Sequence, residues 1–165
     1  MLNLGFAMQN LADFLAKRKA KQQSLVLVTG VFDLLHQEHL NFLGKAKAIA
    51  DLLLVGLESD VRVRKMKGEG RPIYNQTQRL LNLEKLQIAD QVFILPEEFS
   101  KPADHERLIE QIRPDFMAVS SNTAFKKEKE MILAQFGAKL MVVHEFNPEF
   151  SSTKLINNLK QKGQL

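Results

Sequence analysis

Two histidines, His36 and His39, stand three residues apart in the stretch TGVFDLLHQEHL (Thr29–Leu40), just behind the apolar run Leu25–Val28 and Gly30. Residues three apart on a helix share a face, so both rings can be presented to one ligand. The first turn of a helix also offers free backbone N–H groups and the positive end of the macrodipole, which favour an anion. Imidazoles placed there donate hydrogen bonds to phosphate oxygens. A metal site is the rival reading; it needs another ligand, and only Asp33 and Glu38 are near in the sequence. A structural pair, one ring capping and the other packed, is the third.

A second stretch suited to phosphate is KMKGEGRP (Lys65–Pro72), where Lys65, Lys67 and Arg71 surround Gly68 and Gly70. Glycine lets the backbone fold closely around a ligand, and the cations supply charge. The other basic groups, Lys17-Arg18-Lys19 with Lys21 and Lys126-Lys127-Lys129, read as solvated surface. A formal charge of +4 is a modest excess of lysine and arginine, so no nucleic-acid partner is expected. The absence of cysteine excludes disulfides, thiolate catalysis and thiolate metal sites. No apolar run approaches the ~20 residues of a membrane-spanning helix. The N-terminus lacks a secretory pattern, so the expected address is the cytoplasm, with no membrane partner.

These residues must be positioned by a chain of 165 residues, the size of a single domain. Apolar segments of strand length, Leu25–Thr29, Leu52–Leu57, Gln91–Leu95, Phe116–Val119 and Lys139–Val143, are continuously apolar, as strands buried on both faces are. Longer amphipathic segments alternate with them, at about 37–49, 59–66, 76–87, 103–113, 124–136 and 152–161. The rhythm predicts a doubly wound α/β fold, a five-stranded parallel sheet with helices on both faces and ligands beyond the carboxyl ends of the strands. A further helix over residues 8–20, with Leu11, Phe14 and Leu15 on one face, is expected to belong to an N-terminal extension, 1–23, ahead of the domain at 24–165. Its apolar face is an expected contact surface between two copies of the chain.

Together, TGVFDLLHQEHL, AKAIADLLLVGLESD, KGEGRPI, the arginine of QTQR and the C-terminal SSTKLI resemble the cytidylyltransferase-like nucleotidyltransferases. The signature of that family is a histidine, any residue, a glycine and a histidine. Within it the likeness is to the adenylyltransferase domain of the bifunctional heptose-phosphate enzyme, with glycerol-3-phosphate cytidylyltransferase more distant. The matching blocks run in the family's order from about Ser24 to Leu159. The resemblance implies a Rossmann-like fold and an enzyme that joins an NTP, ATP or CTP, to a sugar or polyol phosphate with release of pyrophosphate. It also implies nucleotide contacts at Gly30, Val31 and Phe32. His36 and His39 would touch the α-phosphate and leaving group, Lys67 and Arg79 phosphate, and Ser151, Ser152 and Thr153 would close over the triphosphate. Mg²⁺ arriving with the NTP, no protein metal ligand, and a homodimer complete the implied picture.

Each residue also has a plainer reading. Lys67 can be surface, Arg79 can pair with Glu84 or a helix end, and Ser151-Ser152-Thr153 can be an N-cap. The chain departs from the family pattern at three places. Glu38 stands where the signature has glycine, AVSSNTAF (Ala118–Phe125) replaces a lysine with paired glycines and an aspartate, and Glu149 replaces a glycine ahead of the serine-threonine start. The Glu38 side chain is expected to turn toward water. Two classes stay open: an active nucleotidyltransferase with a changed acceptor, and a non-catalytic relative that binds a nucleotide or a protein.

Overall fold

The computed structural model describes residues 4–164, with side chains from Asn10 onward. Five strands, β1 (Leu25–Gly30), β2 (Leu52–Leu57), β3 (Gln91–Ile94), β4 (Phe116–Ser120) and β5 (Lys139–His144), form one parallel sheet in the order β3-β2-β1-β4-β5. The helices are α1 (Leu4–Ala20), α2 (Gln37–Lys47), α3 (Asp60–Lys67), α4 (Gln76–Lys85), α5 (Pro102–Ile112), α6 (Lys126–Gln135) and α7 (Ser152–Gln161).

The apolar run of β1 has a direct cause. Leu25 and Leu27 point into a core completed by Leu108, Ile109 and Ile112 of α5 and Leu133 of α6. Val26 and Val28 point the other way, onto Leu43 and Ala46 of α2 and Leu80 and Leu83 of α4. All four strand residues are fully buried, each worth roughly 1.5–3 kcal/mol in removed apolar surface. The β5 segment departs from the expected continuous burial, with Lys139 and Val142 exposed and the rest partly covered. It is an edge strand with a neighbour on one side only.

Three helix starts are fixed by side chains. Ser59 accepts from Arg62 N at 3.2 Å, Asn75 and Gln78 form a reciprocal capping box, and Ser151 accepts from Lys154 N at 3.2 Å. Each such cap is worth about 1 kcal/mol.

The helix expected over 8–20 is longer, and its apolar face is not open for a second copy. Leu11, Phe14 and Leu15 pack on the chain's own core. Arg18, expected to be plain surface, straps α1 down by donating to Asp115 Oδ2 (2.6 Å), Arg113 O (2.8 Å) and Gln23 O (2.9 Å). Residues 1–3 of the expected extension and Leu165 of the expected domain lie outside the described residues. No helix among the described residues is long and apolar enough to cross a membrane.

From β1 the chain moves outward through β2 and β3, then crosses to β4 and β5 on the other side of β1. The loops leaving β1 and β4 therefore diverge, and a crevice opens between them at the carboxyl ends of the strands.

Candidate active site

The crevice begins where β1 ends. Gly30 has no side chain because the Phe32 ring folds back over it: a Cβ there would lie 2.7 Å from Phe32 Cε2. Phe32 itself holds a left-handed backbone (φ 47), an arrangement costly for a bulky residue and sustained here by a ring buried in the core. Asp33, also buried, accepts hydrogen bonds from Ile73 N (2.8 Å), Tyr74 N (3.0 Å) and Arg71 Nε (3.2 Å). The end of the glycine-rich loop thus hangs from the strand exit. The same bonds occupy the carboxylate that a metal reading would need.

Arg79 does not reach the crevice. Its guanidinium is fully buried and donates to Val31 O (2.7 Å), Tyr74 O (2.9 Å) and Asp60 Oδ1 (2.7 Å). The expected phosphate contact is replaced by a brace that joins the β1 exit, the loop before α4 and the start of α3. The partner is Asp60, not Glu84.

The two histidines do meet, though not as neighbours on one helical face. His36 is the N-cap of α2, with an extended backbone (φ −142, ψ 173), and His39 is in the first turn. Their rings stack with centroids 3.9 Å apart and planes 25° from parallel, and His39 also tilts against Phe32 at 5.4 Å. Nδ1 of each ring is buried without a hydrogen-bond partner in the protein. Burial lowers the pKa of both. For His39, burial first and then the charges of His36 and Lys67 bring it to about 4; for His36, Glu38 opposes the shift. Both rings are neutral at physiological pH, each with one N–H to donate.

Lys67 ends α3 on the crevice wall. Partial burial of its ammonium, then the Arg71 charge, hold its pKa below the ordinary lysine value, with Asp33 opposing. Arg71 is buried, and its Nη2 has no partner in the protein. An unpaired guanidinium nitrogen and two unpaired imidazole nitrogens suit an oxygen-rich anion. Ser151, Ser152 and Thr153 line the same crevice, Ser152 Oγ standing 3.5 Å from His36 Nε2, so the start of α7 closes over the histidines. The crevice holds about 350 Å³.

Glu38 is not turned to water. Its Oε2 lies 2.8 Å from His144 Nε2, and Lys45 Nζ lies 3.2 Å from His144 Nδ1. An ammonium can only donate, so Nδ1 accepts and Nε2 carries the proton toward Glu38. The His144 ring thereby links the Lys45 ammonium to a carboxylate on the crevice wall through two hydrogen bonds. On the opposite wall Lys129 of α6, expected to be surface, turns in to donate to Thr123 Oγ1 at 2.7 Å.

Sequence reasoning missed Arg71 as an individual residue, His144 and Lys129. The cations of KMKGEGRP signalled the first. Nothing local signals His144, whose partner Glu38 is 106 positions away, and Lys129 was read as surface although its partner Thr123 is six residues away.

The sequence model of the cytidylyltransferase-like family matches residues 27–158. The bifunctional protein HldE of Helicobacter pylori strain P12 is 36% identical over 140 residues, covering 85% of this chain and 28% of that protein. HldE of Campylobacter jejuni subsp. doylei is 33% identical over 150 residues, covering 91% and 31%. The chain therefore spans less than a third of the length of these relatives. Among solved structures, a lipopolysaccharide core biosynthesis protein from Thermoplasma volcanium superposes with a TM-score of 0.63 at 23% identity, over 76% of this chain and 99% of that one. Pantothenate synthetase from Thermus thermophilus gives 0.57 at 13% identity, over 91% and 69%. Both share the fold. With the family matched across both walls of the crevice, the chain belongs to the cytidylyltransferase-like family.

Proposed function

We propose that the protein transfers a nucleotidyl group from an NTP, ATP or CTP, to the phosphate of a small molecule such as a sugar or polyol phosphate, releasing pyrophosphate. The observation that carries this reading is the stacked pair of neutral imidazoles with unpartnered nitrogens, beside Lys67 and Arg71 in one crevice. An oxygen of the acceptor phosphate forms a bond to the α-phosphorus. The bond from that phosphorus to the α,β-bridging oxygen breaks, and its electron pair leaves with pyrophosphate. Charge grows on the non-bridging and leaving oxygens, and donors already in place stabilise it without reorganising.

In this reading His36 and His39 donate to phosphate oxygens, while Lys67 and Arg71 offset the triphosphate charge. The start of α7 excludes water over them. Mg²⁺ arriving with the NTP would offset part of the triphosphate charge, and because Asp33 and Glu38 are both engaged by the protein, substrate oxygens and water would hold it. The likeness to the adenylyltransferase domain of the heptose-phosphate enzyme favours a sugar phosphate as acceptor. It also favours a homodimer working in the cytoplasm, with a contact surface other than the packed face of α1.

A screen for pyrophosphate release with Mg²⁺, each of four NTPs and a panel of sugar and polyol phosphates tests the reading. Acceptor-dependent release with ATP or CTP is expected. No release from any pair, with an NTP bound, would favour a non-catalytic nucleotide-binding module instead.

A further inference from the structure

The crevice has a second wall that the histidines and Lys67 do not serve. It is built from the turn after β4, where Ser120 Oγ donates to Asn122 Oδ1 (2.7 Å) and Ser121 Oγ accepts from Phe146 N (2.9 Å). The turn carries no cation between Ser120 and Phe125. Charge comes instead from Lys129, the fourth residue of α6, whose side chain reaches back to Thr123 and onto the crevice wall.

Lys129 is only partly exposed, and its single hydrogen bond goes to a neutral hydroxyl. No carboxylate of a described residue pairs with it. An ammonium has three donors, so two are left for a ligand. Burial lowers the pKa of this group, a penalty that a bound anion would relieve. The titratable ring on the facing helix, His105 of α5, is tilted against Phe99 with centroids 4.2 Å apart. Burial and the Lys129 charge lower its pKa, so it adds no competing cation at neutral pH.

We infer that Lys129, steadied by Thr123, is the anchor for the phosphate of the second substrate, an acceptor-phosphate subsite supplied from α6 rather than from the turn after β4. The crevice then divides its two polyanions: the triphosphate lies against His36, His39, Lys67 and Arg71, and the acceptor phosphate against Lys129. The identity of that phosphate as the attacking group rests on the nucleotidyl-transfer reading; anion binding at Lys129 does not.

The test follows the backbone amides of Asn122 and Thr123 by NMR while methyl phosphate is titrated into the full chain. Saturable shifts are expected in the wild type. They should weaken about tenfold or more in Lys129→Gln and be largely retained in Lys129→Arg, which keeps the charge. In parallel, Lys129→Gln should raise KM for the phosphorylated acceptor about tenfold and leave the NTP KM within about twofold. Equal shifts in wild type and Lys129→Gln, no shifts in wild type, or an unchanged acceptor KM in an active enzyme would each overturn the subsite. A protein that shows the Lys129-dependent shifts but never releases pyrophosphate would leave the subsite standing and count against nucleotidyl transfer.

Discussion

The carboxylate of Glu38 lies 2.8 Å from Nε2 of His144, a residue 106 positions further along the chain. Glu38 occupies the place where the family signature has glycine, in the turn that would receive a triphosphate. A free carboxylate ~6 Å from phosphate would oppose it by on the order of 2–3 kcal/mol per unit charge at an effective dielectric near 20. The Lys45-His144-Glu38 chain tethers the carboxylate and offsets its charge.

His144→Ala should therefore release Glu38 and weaken NTP binding by about tenfold. Adding Glu38→Gln to that variant should restore most of the loss. Isothermal titration of ATP and CTP into the two single variants and the double variant reads the coupling. Additive effects, or no effect of His144→Ala, would mean that the pair does not govern nucleotide affinity.

His36→Ala and His39→Ala should each reduce turnover by about a hundredfold or more, as loss of a transition-state donor does. Their melting temperatures should fall by no more than a few degrees, because neither Nδ1 holds another protein group. A collapse in stability with turnover intact would make the pair structural.

Arg79→Met should behave in the opposite way. It leaves Asp60, Val31 O and Tyr74 O without their buried donor, a change that costs about 3–5 kcal/mol when one partner of a buried pair is removed. Urea denaturation measures the loss. A variant as stable as wild type that fails only to bind NTP would return Arg79 to the phosphate.

The folded pKa of His39, about 4, lies below its ordinary 6.5. Between those values the unfolded chain binds a proton that the folded site refuses, so stability falls as pH drops through 6.5 toward 4. Burial of His36 and His105 acts in the same direction. NTP binding should raise the His39 midpoint by about one unit or more, since an adjacent anion favours the imidazolium. Carbon-detected histidine titrations with and without NTP show whether the midpoint moves.

The sheet was legible because its inner strands are buried on both faces and read as unbroken apolar runs; β5, an edge, obeyed that rule least. The first wall of the crevice was legible for a related reason, since Gly30, Phe32, His36 and His39 lie within a single exit from one strand. Arg79 was misread because an arginine in the first turn of a helix looks the same whether it turns outward or inward. Its acceptors, Val31 O and Asp60, come from other segments. His144 escaped notice because only the fold carries β5 beside α2, and Lys129, six residues from Thr123, was read as surface because a lysine in a cationic run looks the same whether it turns outward or inward.

Nucleotidyl transfer is read most directly from its products. Phosphorus NMR of the protein with Mg²⁺, the preferred NTP and a phosphorylated acceptor should show pyrophosphate and a coupled pair of diphosphate-bridge resonances growing together in wild type. The same spectrum of His36→Ala/His39→Ala should show neither over the same period. Bridge resonances undiminished in the double variant, or none in a wild type that binds both substrates, would contradict it.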